Sequence, residues 1–228
     1  MIFDIITIFP DYYNTPLKYG VIGKAIENKI LKVNIHNLRD YSNGKHRQID
    51  DRPFGGGSGM VFMIEPIYNA LNFIRKSDSK VILLSPTGKK FNQKTAKELS
   101  AYENLIFISP RYEGVDERVK EFVDMEISIG DYIITGGDAA VLVLIEAISR
   151  HIKGVVGKEE SVINESFETE LLDYPQYTQP RDFMGMKVPE VLLSGNHKLI
   201  DEWRKKRSIE ITKKKRPDLI KKVKNKYD

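Results

Sequence analysis

Short runs of β-branched and other apolar residues alternate with segments of helical periodicity over the first two thirds of the chain. The apolar runs predict strands at residues 2–8, 31–36, 81–84, 105–108 and 125–129. The periodic segments predict helices around residues 17–29, 66–75, 93–102 and 139–151. Because parallel neighbours need helical crossovers between them, this order indicates an α/β fold with a mainly parallel sheet.

Two segments interrupt the pattern. Residues 42–60 (SNGKHRQIDDRPFGGGSGM) are too polar for core and too rich in glycine for a helix, which predicts a long loop that is either functional or disordered. Residues 157–169 (GKEESVINESFET) are acidic and aperiodic, and we interpret them as a linker. After a turn-rich stretch with tyrosines and prolines, residues 198–226 predict a basic helical tail that Pro217 interrupts.

The distribution of charge is more informative than its sum. The 228 residues are 41% hydrophobic, enough for a proper core, and carry a net charge of +4. Residues 201–228 hold 12 Lys and Arg against 5 Asp and Glu, so the basic excess belongs to the C-terminal end. That end is either a solvated helix face or an RNA contact, with Tyr174, Tyr177 and Trp203 as candidate stacking residues.

Several classes of protein are disfavoured. The absence of cysteine excludes disulfides, thiol nucleophiles and cysteine-containing zinc sites. The first residues lack a basic signal-peptide region, and the apolar run at 139–145 is far shorter than the roughly 20 residues that span a bilayer. The four histidines are too scattered to predict a metal site. We therefore expect a soluble, cytoplasmic protein with no membrane partner.

Three junctions between strands and loops are candidates for ligand binding. They read LLSPTG (83–88), SPRYEG (109–114) and SIGDYIITGGD (128–138). Ligands of open α/β sheets bind beyond the carboxyl ends of strands, and glycines let the backbone approach a ligand closely. Each junction alone could equally be an ordinary turn.

Seven segments occur in one order across almost the whole chain: DDRPFGGGSGM, ILLSPTG, RYEGVDERV, SIGDYIITGGD, YPQYTQPR, VPEVLLSGNH and KKRPDLI. Together they resemble the bacterial tRNA (guanine-37 N1)-methyltransferases, the TrmD-type members of the SPOUT superfamily. The resemblance implies a donor-binding α/β domain with a deep trefoil knot at residues 1–156. It further implies a flexible linker at 157–170 and a small, helical, basic tRNA-binding domain at 171–228.

The resemblance also implies the reaction and the assembly. A methyl group would pass from S-adenosylmethionine to N1 of guanine 37, next to the anticodon, with guanine 36 as a recognition element and Mg²⁺ as a possible aid. The protein would be a homodimer with its active sites at the interface. The donor would lie in the knot of one subunit, and the linker and C-terminal domain of the other would help to hold tRNA.

The family's functional positions fall on residues of this chain. The donor-binding positions are Leu83, Leu84, Ser85, Pro86, Gly88, Pro110, Glu113, Ile129, Gly130, Asp131, Tyr132, Ile133, Ile134, Gly136 and Gly137. The tRNA-binding positions are Gly55, Gly56, Gly57, Ser161, Arg181 and His197. Glu113 would complement the cationic end of the donor.

Removal of the N1 proton requires a base, and charge that develops on O6 requires a cation. The resemblance places these roles on Glu165, where the family has aspartate, and on Arg150. Pro110 stands where the family usually has glycine; Asp138 and Ala140 are milder departures. These departures leave open a catalytically impaired RNA-binding dimer of the same fold. A methyltransferase for another RNA position is a third reading.

Overall fold

The structure, a computed structural model, describes residues 1–157 and 165–220. The chain divides into two compact units, Met1–Gly157 and Lys158–Asp228. Half of the linker predicted at 157–170, residues 158–164, lies outside the described residues, as does the end of the basic tail at 221–228.

A parallel sheet forms the centre of the first unit. The strands of this unit are β1 (Ile2–Thr7), β2 (Lys32–Asn37), β3 (Asp50–Asp51), β4 (Val61–Phe62), β5 (Ser79–Lys90), β6 (Asn104–Ile108) and β7 (Met125–Ser128). Five of them pair in the order β2-β1-β6-β5-β7, and every pair is parallel. The mainly parallel α/β sheet is therefore confirmed.

Helices cover both faces of this sheet. They are α1 (Gly20–Glu27), α2 (Ile64–Ile74), α3 (Gln93–Leu99) and α4 (Asp138–Ser149). Because side chains alternate along a strand, Ile5 of β1 joins a core cluster with α1, α3 and α4, whereas Ile6 joins a second cluster with α2. Burial on both faces explains why the strands are almost continuously apolar.

Two elements differ from the sequence prediction. The strand predicted at residues 81–84 extends to Lys90, because Lys89 and Lys90 pair again with β7 after an irregularity that follows Leu84. The predicted loop at 42–60 contains β3, which pairs with β4, and its Ile49 is fully buried in a core cluster. Full burial of an isoleucine side chain contributes about 1.5–3 kcal/mol to the stability of this polar segment.

The second unit contains a short hairpin and a long helix. The hairpin pairs β8 (Asp182–Phe183) with β9 (Met186–Lys187), and helices α5 (His197–Lys215) and α6 (Pro217–Ile220) follow. The side chain of Asn196 accepts from Leu199 N at 3.3 Å and caps α5, and the break at Pro217 is confirmed. No helix within residues 1–157 and 165–220 is long and apolar enough to cross a membrane.

Candidate active site

The three junctions predicted to bind a ligand meet around one cavity of about 460 Å³ in the first unit. Its walls come from the middle of β5, the loop after β6 and the loop between β7 and α4. All predicted donor-binding residues except Gly88 and Asp131 line it. The sequence therefore identified segments that the fold brings together at one edge of the sheet.

Gly88 and Asp131 lie at different places. A Cβ atom on Gly88 would come within 2.5 Å of the Ile127 nitrogen, so this glycine lets β5 pass tightly against the backbone of β7. The carboxylate of Asp131 points to solvent, 84% exposed, and pairs with Lys90 Nζ at 2.5 Å. Both residues belong to the cavity-forming segments, but neither lines the cavity.

The loop between β7 and α4 lies directly against the loop after β6. Gly137 N donates to the carbonyl of Pro110 at 2.8 Å, and Gly136 forms an antiparallel bridge with Arg111. A Cβ atom on Gly136 would come within 2.1 Å of Arg111 Cδ. The glycine pair thus permits a close approach that no side chain would allow.

The glycine-rich segment reaches this cavity through Glu113. Glu113 N donates to Met60 O at 3.0 Å, and a Cβ atom on Gly59 would come within 2.7 Å of the Glu113 side chain. The predicted tRNA-binding residues Gly55, Gly56 and Gly57 precede this contact, are exposed and all have positive φ angles. The backbone conformation of this loop therefore depends on glycine.

A buried carboxylate that sequence reasoning treated as a mild departure lies behind the cavity. Asp138 begins α4 with a side chain 1% exposed, and its Oδ1 accepts from three hydroxyls: Thr7 at 2.7 Å, Ser109 at 2.8 Å and Tyr13 at 2.9 Å. Burial, followed by the Asp138 charge, raises the pKa of Tyr13, so its hydroxyl stays protonated and donates. An acidic residue directly after Gly-Gly at a predicted helix start was the available signal.

The two predicted catalytic residues belong to different units. Arg150 is half-buried and is the C-terminal cap of α4. Glu165 is half-buried in the second unit, one residue before Ser166, whose Oγ accepts from Asp173 N at 2.9 Å.

The remaining predicted tRNA-binding residues also belong to the second unit. Arg181 is exposed, and its carbonyl accepts from Val188 N at 2.9 Å; His197 is exposed at the first position of α5. Ser161 lies outside the described residues. Within residues 1–157 and 165–220, no three His, Cys, Asp or Glu side chains form a group that could hold a metal ion.

Comparison with known proteins bears directly on this site. The family model described as tRNA (Guanine-1)-methyltransferase TrmD matches residues 1–222. A tRNA (guanine-N(1)-)-methyltransferase of Carboxydothermus hydrogenoformans is 54% identical over 96% of this chain and 87% of its own length. Proteins of the same name from Dictyoglomus turgidum and Clostridioides difficile are 52% and 51% identical, over 96% and 97% of this chain and 90% and 98% of their own lengths. The chain therefore belongs to the TrmD family of tRNA (guanine-1)-methyltransferases.

Proposed function

We propose that this protein transfers a methyl group from S-adenosylmethionine to N1 of guanine 37 in tRNA, in a sequence context with guanine 36. Membership of the TrmD family and the names of its relatives support the reaction. The observation that carries the proposal is the common cavity lined by the family's donor-contact positions. A tRNA substrate makes the cytoplasm the proposed compartment.

The cavity fits the methyl donor in size and chemistry. Its volume of about 460 Å³ lies in the range of small-molecule sites, and its walls combine glycines and apolar side chains with several polar and charged groups. Glu113 supplies an exposed carboxylate for a cationic group, and Gly136 and Gly137 leave backbone within reach of a ligand. When bound, the donor supplies an electrophilic methyl carbon attached to a positively charged sulfur.

In the proposed chemistry, the chain moves one proton and stabilises one charge. The nucleophile is N1 of guanine, which gains the methyl group and loses its proton to the Glu165 carboxylate. The Arg150 guanidinium stabilises the negative charge that develops on guanine O6. Glutamate has nearly the same reference pKa as the family's aspartate, so the proposed base keeps its chemistry with one more methylene.

We extend the proposal to a trefoil knot in the first unit. Two close passages support it: Gly88 against the backbone of β7, and Gly136 and Gly137 against residues 109–111. In both places the chain segments approach too closely for a side chain to separate them. Because knots are rare in proteins in general, membership of the TrmD family is an essential support for this knot.

The second unit has features suited to a tRNA backbone and its splayed bases. Helix α5 is rich in Lys and Arg, and the guanidinium of Arg204 lies 4.9 Å from the centre of the Tyr174 ring. The Tyr177 and Trp203 rings are neighbours, with centroids 6.3 Å apart. Basic groups bind phosphates and aromatic faces stack on bases, which supports a tRNA-binding role for this unit.

We also propose a homodimer. Around the cavity-forming loop, the first unit exposes Tyr132 (56%), Ile133 (82%) and Ile134 (40%), and Val143 on α4 is 47% exposed. Neighbouring exposed apolar residues of this kind are typical of protein interfaces. A second copy of the chain is the proposed occupant, which would complete each active site at the interface.

Methyl transfer from labelled S-adenosylmethionine tests the reaction. We expect transfer to a transcript with guanines 36 and 37, none to a transcript with adenine at 37, and a large loss in Glu165→Gln. The matched control is Glu170→Gln, which changes an exposed glutamate five residues further along the chain. Addition of a chelator tests the contribution of Mg²⁺. Donor binding without transfer to any transcript would support the impaired RNA-binding dimer instead.

Mixing two inactive variants tests the shared active site. If the donor cavity of one subunit works with Glu165 of the other, a Glu113→Ala and Glu165→Gln mixture regains one intact site per mixed dimer. We expect about a quarter of wild-type activity after subunit exchange. Absence of any recovery, despite mixed dimers detected by mass spectrometry, would contradict an active site built from two subunits.

A further inference from the structure

The second oxygen of Asp138 binds an arginine. Oδ2 accepts from Arg111 Nε at 2.9 Å and from Arg111 Nη2 at 2.6 Å, a two-pronged contact in which the arginine side chain is 17% exposed. A charge-assisted, largely desolvated contact of this kind is among the strongest polar contacts in proteins. The orientation of the Arg111 guanidinium is thereby set by one buried carboxylate.

Arg111 in turn holds the loop between β7 and α4. Its Nη1 donates to the carbonyl of Thr135 at 3.3 Å, and its aliphatic stem occupies the space left by the missing side chain of Gly136. The guanidinium carbon of Arg111 lies 4.7 Å from the centre of the Phe9 ring, in a cation–π contact. Arg111 itself lines the cavity, so any rotation of this side chain changes the cavity wall.

Asp138 therefore joins segments that are distant in sequence at the base of one cavity. Through Oδ1 it holds the end of β1 at Thr7 and the end of β6 at Ser109; through Oδ2 and Arg111 it holds the loop at 135–137. Since Arg111 belongs to one wall of the cavity and Thr135 to another, the pair fixes the distance between those walls. A carboxylate whose only role was to interact with the dipole at the start of α4 would need no contact with Arg111.

We propose that Asp138 and Arg111 are positioning residues that set the affinity for the methyl donor by fixing two walls of its cavity. This inference rests on the proposed function, because it assigns the methyl donor to the cavity. Neither residue takes part in proton transfer. The pair instead determines how well the cavity is formed before the donor enters, which is a contribution to binding.

Donor affinity and steady-state kinetics of Arg111→Lys and Asp138→Asn test the proposal. Lysine keeps the charge of Arg111 but loses its fork, and asparagine keeps the size of Asp138 but loses its charge. For both variants we expect a weakening of S-adenosylmethionine binding by at least about tenfold, measured by calorimetry, and a matching rise in the KM for the donor. The KM for tRNA should stay within about twofold of wild type.

The chain offers a closely matched control. Arg118 also donates through Nε at 2.9 Å and Nη2 at 2.6 Å, here to Oδ1 and Oδ2 of Asp116, but its side chain is 67% exposed and it does not line the cavity. We expect Arg118→Lys to bind the donor like wild type. The double variant Arg111→Lys with Asp138→Asn should bind the donor little more weakly than either single variant, because both substitutions remove the same Arg111–Asp138 contact.

The outcomes separate this inference from the proposed function. Wild-type donor affinity in a folded Arg111→Lys protein would overturn the positioning role and leave the proposed function intact. A lower melting temperature with unchanged donor affinity would assign the pair to stability alone, and it would overturn the inference too. If the wild-type protein itself binds no S-adenosylmethionine, the proposed function fails, and this inference fails with it. Should Asp138→Asn not fold, Arg111→Lys decides.

Discussion

The amide of Gly137 donates to the carbonyl oxygen of Pro110 at 2.8 Å, across two of the loops that form the cavity. This contact uses the one backbone hydrogen-bonding group that proline retains. Gly130 in the same site has a positive φ angle, which favours glycine. Position 110 instead holds a proline, whose φ is fixed near −65°. The structure thus explains how this loop accommodates a proline at position 110.

Replacement of Pro110 by glycine should therefore have little effect on the cavity. We expect Pro110→Gly to bind S-adenosylmethionine within about twofold of wild type, because the carbonyl that accepts from Gly137 is unchanged. The variant should lose about 0.4–1 kcal/mol of stability, because glycine gains freedom in the unfolded chain. Calorimetry of donor binding and thermal unfolding measure the two effects. A donor affinity raised by tenfold or more would show that proline impairs the site.

The sheet, its helices and the three cavity-forming loops could be predicted because each has a local signature. Apolar runs identified the strands, and glycine and proline turns identified the loops that follow them. The break of the basic helix at Pro217 was also visible from a single residue. Features that follow from local periodicity or turn chemistry are those that a sequence discloses.

Features that depend on distant partners could not be predicted. Nothing near Ile49 in the sequence announces that its side chain is fully buried. The five hydrogen bonds to Asp138 come from Thr7, Tyr13, Ser109 and Arg111, up to 131 residues away in the sequence. Long-range pairing of this kind appears only once the strands are in order, so the sequence alone does not disclose the partners of Asp138.

The close passage of Gly88 against β7 predicts a specific sensitivity to one methyl group. A Cβ atom there would meet the Ile127 nitrogen at 2.5 Å and the Glu126 carbonyl carbon at 2.6 Å, both of them backbone atoms that cannot rotate away. We expect Gly88→Ala to cost about 1–3 kcal/mol, which lowers the melting temperature by several degrees.

Gly157→Ala is the control for that experiment, since a Cβ atom on Gly157 has no neighbour within 4 Å. Its melting temperature should stay within about 1 °C of wild type. Equal melting temperatures for Gly88→Ala and Gly157→Ala would mean that β5 and β7 can separate at no cost, in conflict with the tight threading proposed for this unit.

The buried carboxylate of Asp4 predicts a pH-dependent stability. Asp4 accepts from Asn34 Nδ2 at 2.9 Å, from Asn104 Nδ2 at 2.7 Å, and lies 2.7 Å from His36 Nε2. Burial alone would raise the pKa of Asp4, but the hydrogen bonds from His36, Asn34 and Asn104 outweigh it and lower the pKa. The native state therefore holds the ionised form more strongly than the unfolded chain does.

The sign of the effect follows from this lowered pKa. Stabilisation is fully present above the unfolded value of about 3.9 and is lost as the pH falls through the lower native pKa. Urea unfolding between pH 3 and 7 should show a weaker acid dependence for Asp4→Asn than for wild type. The variant should also be less stable at pH 7, by about 1–3 kcal/mol, because one amide group then faces two asparagine donors. Parallel pH curves for the two proteins would assign the acid sensitivity to other carboxylates.

Thr212 of α5 holds the chain at Leu172 in the second unit. Its side chain is fully buried; Oγ1 accepts from Leu172 N at 2.9 Å and donates to Ser208 O at 2.7 Å. Ser208 Oγ donates to the carbonyl of Leu172, so both backbone groups of Leu172 are bound to the helix. Replacement of Thr212 by valine keeps the shape but leaves the Leu172 amide without its acceptor, at a cost of about 1–3 kcal/mol.

Hydrogen exchange measures this local cost directly. In Thr212→Val the Leu172 amide should exchange at least about tenfold faster than in wild type, because the opening free energy of that segment falls. Thr178→Val, which changes an exposed threonine of the same unit, should leave the exchange at Leu172 unchanged. Unchanged protection of Leu172 in Thr212→Val would mean that the segment is held by Ser208 and by the buried Leu171 side chain, and that the threonine hydroxyl contributes little.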